Sequence, residues 1–180
     1  MPDTRRTLAA LQALLADNTT QDISPQDLRD VLISLSPMYA FMHVSSSGPT
    51  SVLSTGTYYK AEGTTVLSRA SSEFTMPSDN RLTYSGPETV LAAIDVSFTT
   101  SASTGSRELA FRLAKNGGTI FDTEIRQQLD SGGNAVATHI TYLDDALATS
   151  DYWELWLTDE DGTNTVTVDF MNFRMFTRLI

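Results

Sequence analysis

The sequence predicts a mainly β protein: an antiparallel jelly-roll sandwich preceded by a short N-terminal two-helix segment. Three observations carry this. Leucines recur at spacings of three and four only near the N-terminus, the period of a helix with one apolar face. From residue 38 onward the apolar residues alternate or cluster in short runs rich in Val, Ile, Thr and aromatics, the pattern of half-buried strands. Those runs are separated by Asn-Gly, Asp-Gly and Gly-Gly steps, which tolerate the positive φ of tight hairpins. The expected division is 1–36 for the helices and 37–180 for the sandwich.

The first helix is expected over residues 4–16. Leu8, Leu11 and Leu15 share one face, Leu14 lies beside them, and Asp3 or Thr4 caps the start. Asp17-Asn18-Thr19-Thr20 prefers turns and stops it. The second helix has an explicit start: Ser24 at the N-cap, Pro25 at the first position and Asp27 at the third. Leu28, Val31, Leu32 and Leu35 form its apolar face, and Pro37 ends it. Helices below about 12 to 15 residues are marginal alone, so these require a partner surface: the β domain, a sister copy or another protein.

Strands are expected at 38–44, 50–53, 64–67, 81–84, 89–99, 108–115, 119–128, 136–143, 152–158 and 165–177. The turns between the later ones are Lys115-Asn116-Gly117-Gly118, Asp130-Ser131-Gly132-Gly133-Asn134 and 159–164. Eight to ten short strands in this length fit a jelly roll or a close relative. The Ser, Gly, Thr and Pro content of 45–56 reads as a loop. Along Tyr152-Trp153-Glu154-Leu155-Trp156-Leu157, both faces of the strand carry an aromatic ring. Phe173 and Phe176 break the alternation near Met171-Asn172, the mark of a bulge or change of face. Large residues on both sides suit an oligomer interface, and Tyr152, Trp156, Phe173 and Phe176 are its candidates.

Composition bounds the function. The chain of 180 residues carries 22 acidic and 12 basic side chains, a formal charge of -10. Such a surface repels nucleic-acid phosphates and anionic lipid, so no nucleic-acid partner is expected. There is no cysteine, which excludes disulfides, thiolate metal sites and a Cys nucleophile. No stretch approaches the roughly 20 apolar residues of a membrane span, and the N-terminal stretch lacks the apolar run of a signal peptide; no membrane insertion is expected.

No chemical motif emerges. The acidic turn Asp159-Glu160-Asp161 with Asn164 offers oxygens to calcium, but lacks the spaced loop of a calcium hand, and a solvated hairpin tip explains it better. Asp144-Asp145 reads as a turn. His43 and His139 sit in strands without the neighbours of a catalytic arrangement, and the Gly-Gly steps lack phosphate-binding spacing. No catalytic residue, metal or cofactor is expected.

Two stretches carry a resemblance. The run from Thr7-Leu8-Ala9-Ala10-Leu11 through Asp17-Asn18-Thr19-Thr20 to Ile23-Ser24-Pro25-Gln26-Asp27-Leu28-Arg29-Asp30 resembles the short N-terminal module of many tailed-bacteriophage virion proteins. Leu113-Ala114-Lys115-Asn116-Gly117 and Ser150-Asp151-Tyr152-Trp153-Glu154-Leu155-Trp156 resemble the trimeric jelly-roll heads of phage fibres and capsid decoration proteins, similar in turn to tumour-necrosis-factor-like folds. The resemblance implies a virion homotrimer whose helical module attaches to the particle. There is no repetitive shaft, collagen-like tract or extended heptad, which favours a compact element over a long fibre. The leading expectation is a non-enzymatic decoration (cement) protein docking on the particle, on the major capsid protein or another virion protein, through Leu8, Leu11, Leu15, Leu28, Val31 and Leu32. The alternative is a short fibre whose loops at Thr100 to Ser106 and Ser131 to Asn134 grip a host surface glycan or protein.

Overall fold

The computed structural model describes residues 6–16, 23–133 and 136–179. Helix α1 spans Leu8–Ala16 and α2 spans Pro25–Leu35. The α1 start is set by Thr7, whose hydroxyl accepts the Ala10 amide at 2.9 Å, so the cap lies later than expected. Asp3, Thr4 and the Asp17–Thr20 stop lie outside the described residues. The start of α2 is as read: Ser24 accepts the Asp27 amide and Asp27 accepts the Ser24 amide, a complete capping box, with Pro25 just inside.

Thirteen strands follow among the described residues: β1 Met38–Ser47, β2 Pro49–Ser51, β3 Tyr59–Lys60, β4 Gly63–Ala70, β5 Phe74–Thr75, β6 Leu82–Tyr84, β7 Val90–Ala102, β8 Glu108–Lys115, β9 Gly118–Thr119, β10 Ile125–Gln128, β11 Val136–Leu147, β12 Tyr152–Asp159 and β13 Thr165–Leu179. They form two antiparallel sheets. The front sheet runs β11-β7-β13-β1-β4, with β2 on β13; the back sheet runs β10-β8-β12-β6-β5, with β3 on β12 and β9 on β8. The chain crosses between sheets at β2 to β3, β3 to β4, β4 to β5, β6 to β7, β7 to β8, β10 to β11, β11 to β12 and β12 to β13, making a jelly-roll sandwich.

Alternation decides what fills it. On β7, Val90, Ala92, Ile94, Val96 and Phe98 face inward; Leu109, Phe111, Leu113, Trp153, Leu155 and Leu157 meet them from the back sheet, all buried. Phe98 and Phe111 join the sheets with ring centroids 4.8 Å apart. On β13 the register shifts between Val168 and Phe170. Val166 and Val168 are inward before the bulge, and Met171, Phe173 and Met175 after it. The bulge lies slightly before the Met171-Asn172 step where it was expected.

Four expectations need correction. Ser45–Ser47 is strand, because Ser46 and Ser47 pair with Thr64 and Gly63 after a register shift. The stretch 119–128 is not one strand: a 3-10 turn at Phe121–Thr123 interrupts it, held by the Thr123 hydroxyl, which accepts the Leu113 amide at 2.8 Å and donates to the Ile120 carbonyl at 2.7 Å. Asp144 lies within β11 and is buried; its carboxylate accepts from Lys115 Nζ and the Trp153 indole N–H. Phe173 is a fully buried core residue, because the bulge puts it on the inward side, so it belongs to no outward interface.

Candidate functional site

Helix α2 is built inside out. Its polar residues Asp30 and Ser34 are buried, whereas Leu28, Leu32 and Leu35 are 56, 60 and 66 % exposed. Arg6 holds the polar side down: its backbone N–H donates to Ser34 Oγ at 2.7 Å and its Nε to Asp30 Oδ2 at 2.8 Å. Gln26 Nε2 donates to the other Asp30 oxygen at 2.8 Å. A buried carboxylate is tolerated when paired and fully hydrogen-bonded, and here that pairing orients the leucines at i, i+4 and i+7 toward solvent. The two serine hydrogen bonds hold the Asp27 carboxyl below its ordinary value and so favour the capped start. Of the other expected docking residues, Val31 is partly buried. Leu11 is buried and lines a hollow with Leu35, Pro37, Arg178 and Leu179, so it does not share the exposed face. The side chains of Leu8 and Leu15 lie outside the described residues.

A second unpartnered surface is the outer face of the front sheet, which the register resolves into cross-strand rows. Tyr39, Phe176, Ala93 and Leu143 form one row; Tyr39, Phe176 and Leu143 are 38, 46 and 58 % exposed. The next is Arg69, Phe41, Arg174, Asp95 and Thr141, and beyond it Val66, His43, Asn172, Ser97 and His139. Both histidines therefore lie on this face, in one row. His139 Nε2 is 2.7 Å from Thr141 Oγ1 and 3.8 Å from Asp95. Phe41 packs edge-on to Phe176 with centroids 5.5 Å apart.

The expected oligomer-interface residues do not form one surface. Tyr152 and Trp156 lie on the back sheet, Phe176 on the front sheet, and Phe173 between them. The back-sheet pair is engaged within the chain. The Arg81 guanidinium stacks 4.0 Å over the Tyr152 ring and pairs with the buried Glu154, whose other oxygen accepts the Trp156 indole N–H at 3.0 Å. Beside them Arg112 lies between the rings of Tyr58 and Phe121, at 4.3 and 4.9 Å. Glu124 joins Tyr58, Arg112 and Arg126. The Arg126 hydrogen bond is the largest cause of the Glu124 carboxyl falling to about 2; burial opposes it, and Arg112 and Tyr58 add to it. Burial and the Glu124 hydrogen bond push the Tyr58 phenol well above its ordinary value.

The acidic turn is organised from within. Asp159 is buried; its oxygens accept the Asp161 amide at 2.8 Å and Asn164 Nδ2 at 2.7 Å. The two candidate loops meet, with the Ser106 amide donating to the Asp130 carbonyl and the Ala102 amide to that of Gly133, but neither carries an aromatic ring. No helix among the described residues is long and apolar enough to cross a membrane. Sequence reasoning missed the front-sheet face because alternation shows which residues point outward but not which strands are neighbours.

No protein-family model and no curated protein matches the chain. Solved structures give distant likenesses of the sandwich. PRD1 vertex protein P5 is similar at 12 % identity over 79 % of this chain and 97 % of that one, with a TM-score of 0.49. The globular domain of zebrafish complement 1qA protein is 11 % identical over 81 and 98 %, with a TM-score of 0.47. Murine APRIL is 9 % identical over 78 and 99 %, also at 0.47.

Proposed function

We propose that this chain is a non-enzymatic structural protein of a phage particle: a decoration protein that associates as a homotrimer through the front-sheet face, docks on the major capsid protein through α2 and reinforces the shell. The observation that carries this is the orientation of α2. Full burial of a leucine is worth about 1.5–3 kcal/mol, and a helix held by its polar side forfeits that for Leu28, Leu32 and Leu35 unless another surface covers them. The exposed Tyr39, Phe176 and Leu143 row gives the sandwich its own contact face. The alternative, a short fibre head recognising a host surface glycan, has one feature in its favour: Phe121 is 71 % exposed, stacked on Arg112 and followed by the exposed carboxylate of Asp122.

The test is incorporation. Particles grown with the normal chain, or with Leu28→Ser and Leu32→Ser together, are purified and the copies per particle counted against the major capsid protein by quantitative mass spectrometry. Decoration requires a count comparable with the capsid subunit, and a drop of about tenfold or more in the variant, the effect of losing one to two kcal/mol of contact. A few copies per particle, or undiminished incorporation of a folded variant, overturns it.

A further inference from the structure

Below the apolar row, the front-sheet face contains a hollow of about 480 Å3 lined by Phe41, Met42, His43, Ser68, Arg69, Asn172, Arg174 and Phe176. Its charge is unusual for this chain. Among the described residues, every lysine and arginine side chain has a hydrogen-bond or ion-pair partner except Arg69, Arg174 and Arg178. All three lie on this one face, in a chain with 22 acidic and 12 basic residues. Two of them line the hollow, and no carboxylate does. Asp95, the register neighbour of Arg174 on β7, lies 3.8 Å from His139 instead.

We propose that this hollow is an oxyanion-binding site, taking a carboxylate, sulfate or phosphate group. Arg69 and Arg174 both pair in register with Phe41, one from each side. Their Cα atoms therefore stand about two strand spacings, roughly 9–10 Å, apart, and two long side chains from that separation converge on one small anion. The guanidinium fork suits such an anion geometrically, since each can donate two parallel hydrogen bonds. In the adjoining row His43 and Asn172 face each other, and neither side chain has a hydrogen-bond partner among the described residues. They add an imidazole and an amide donor. The Ser68 hydroxyl is already committed to the Phe41 carbonyl at 3.0 Å and contributes only shape. Phe41 and Phe176 make an apolar wall, which lowers local polarity and strengthens charge-assisted bonds beside it. The site does not rest on the α2 attachment reading, because it involves no residue of α2, but it shares Phe176 with the face proposed for self-association.

The experiment titrates the full chain with sodium sulfate at constant ionic strength, following the His43 ring and Asn172 side-chain amide resonances by NMR. The expected result is a saturable shift of both signals. Arg69→Gln and Arg174→Gln each weaken it about tenfold, as losing one charge-assisted pair should, while Lys60→Gln on the back sheet leaves it unchanged. No saturable shift, or equal titration of wild type and both arginine variants, overturns the proposal. Sedimentation separates the remaining source of the same chemistry: if sulfate does not bind and Arg174→Gln converts an oligomer to monomer, a carboxylate of a second copy fills the hollow and the small-anion site is wrong.

Discussion

Single side chains in this molecule act mostly by pairing. Asp144 illustrates it: a carboxylate in a strand accepts from a lysine and from a core indole, and although burial lowers the Lys115 pKa, the hydrogen bonds and charges of Asp144 and Asp151 together outweigh that and raise it. Glu124 makes the clearest pH prediction. Its carboxyl sits at about 2 in the folded chain against an ordinary value of 4.5, so the folded state favours the ionised form. That contribution is present above about pH 4.5 and is lost as the pH falls through about 2. Denaturant midpoints measured at pH 5, 3.5 and 2.5 should therefore fall more steeply for the normal protein than for Glu124→Gln, whose amide has no proton to gain. Parallel profiles would show that the Arg112, Arg126 and Tyr58 contacts do not persist in solution.

Elements are joined by a few close approaches. The loop after β7 and the loop after β10 touch at Gly105: a Cβ there would lie 2.1 Å from the Ser131 carbonyl oxygen and 2.7 Å from that of Asp130. Neither neighbour is a flexible side-chain tip, so the backbone has to move. Gly105→Ala is expected to destabilise by about 1–3 kcal/mol, the usual range for overpacking, seen as a lower urea midpoint; an unchanged midpoint would show the loops separate freely. The hairpin between β8 and β9 shows a simpler requirement. Asn116 and Gly117 both adopt positive φ, 54° and 78°, the conformation that Asn-Gly tolerates and which made this turn legible beforehand. At α2, the capping box was legible for the same reason: its residues lie three apart and need no tertiary partner.

Over the whole molecule the question is which faces remain uncovered. The front sheet presents Tyr39, Phe176 and Leu143 in one row, next to a hollow rich in unpaired arginine. On the back sheet, Arg81 and Arg112 stack on Tyr152 and Tyr58, and of the nearby rings Phe121 alone stays largely exposed. Self-association is therefore expected on the front sheet. Phe176→Lys places an ammonium in that row and leaves the core unaltered, since Phe176 points outward; the normal protein should sediment as a trimer at micromolar concentration and the variant as a monomer. A normal protein that is monomeric under the same conditions would remove the trimer from the proposed function and leave the attachment face to stand alone.

Local rules in the sequence were enough for the two helices, the positions of most strands, the Asn-Gly turn and the alternation of faces on β12, because helix period, alternation and capping involve residues close along the chain. They could also place aromatic residues on both faces of β12. What they could not supply was long-range pairing. That Phe41 lies between Arg69 and Arg174, residues far apart in sequence, is settled only by strand order. A one-residue bulge on β13 buries Phe173 and turns Phe176 outward. Helical periodicity marked Leu28, Leu32 and Leu35 as one face, but whether that face met the sandwich or the solvent depended on Arg6 reaching Asp30 and Ser34, a tertiary contact that reverses the usual inward preference of leucine.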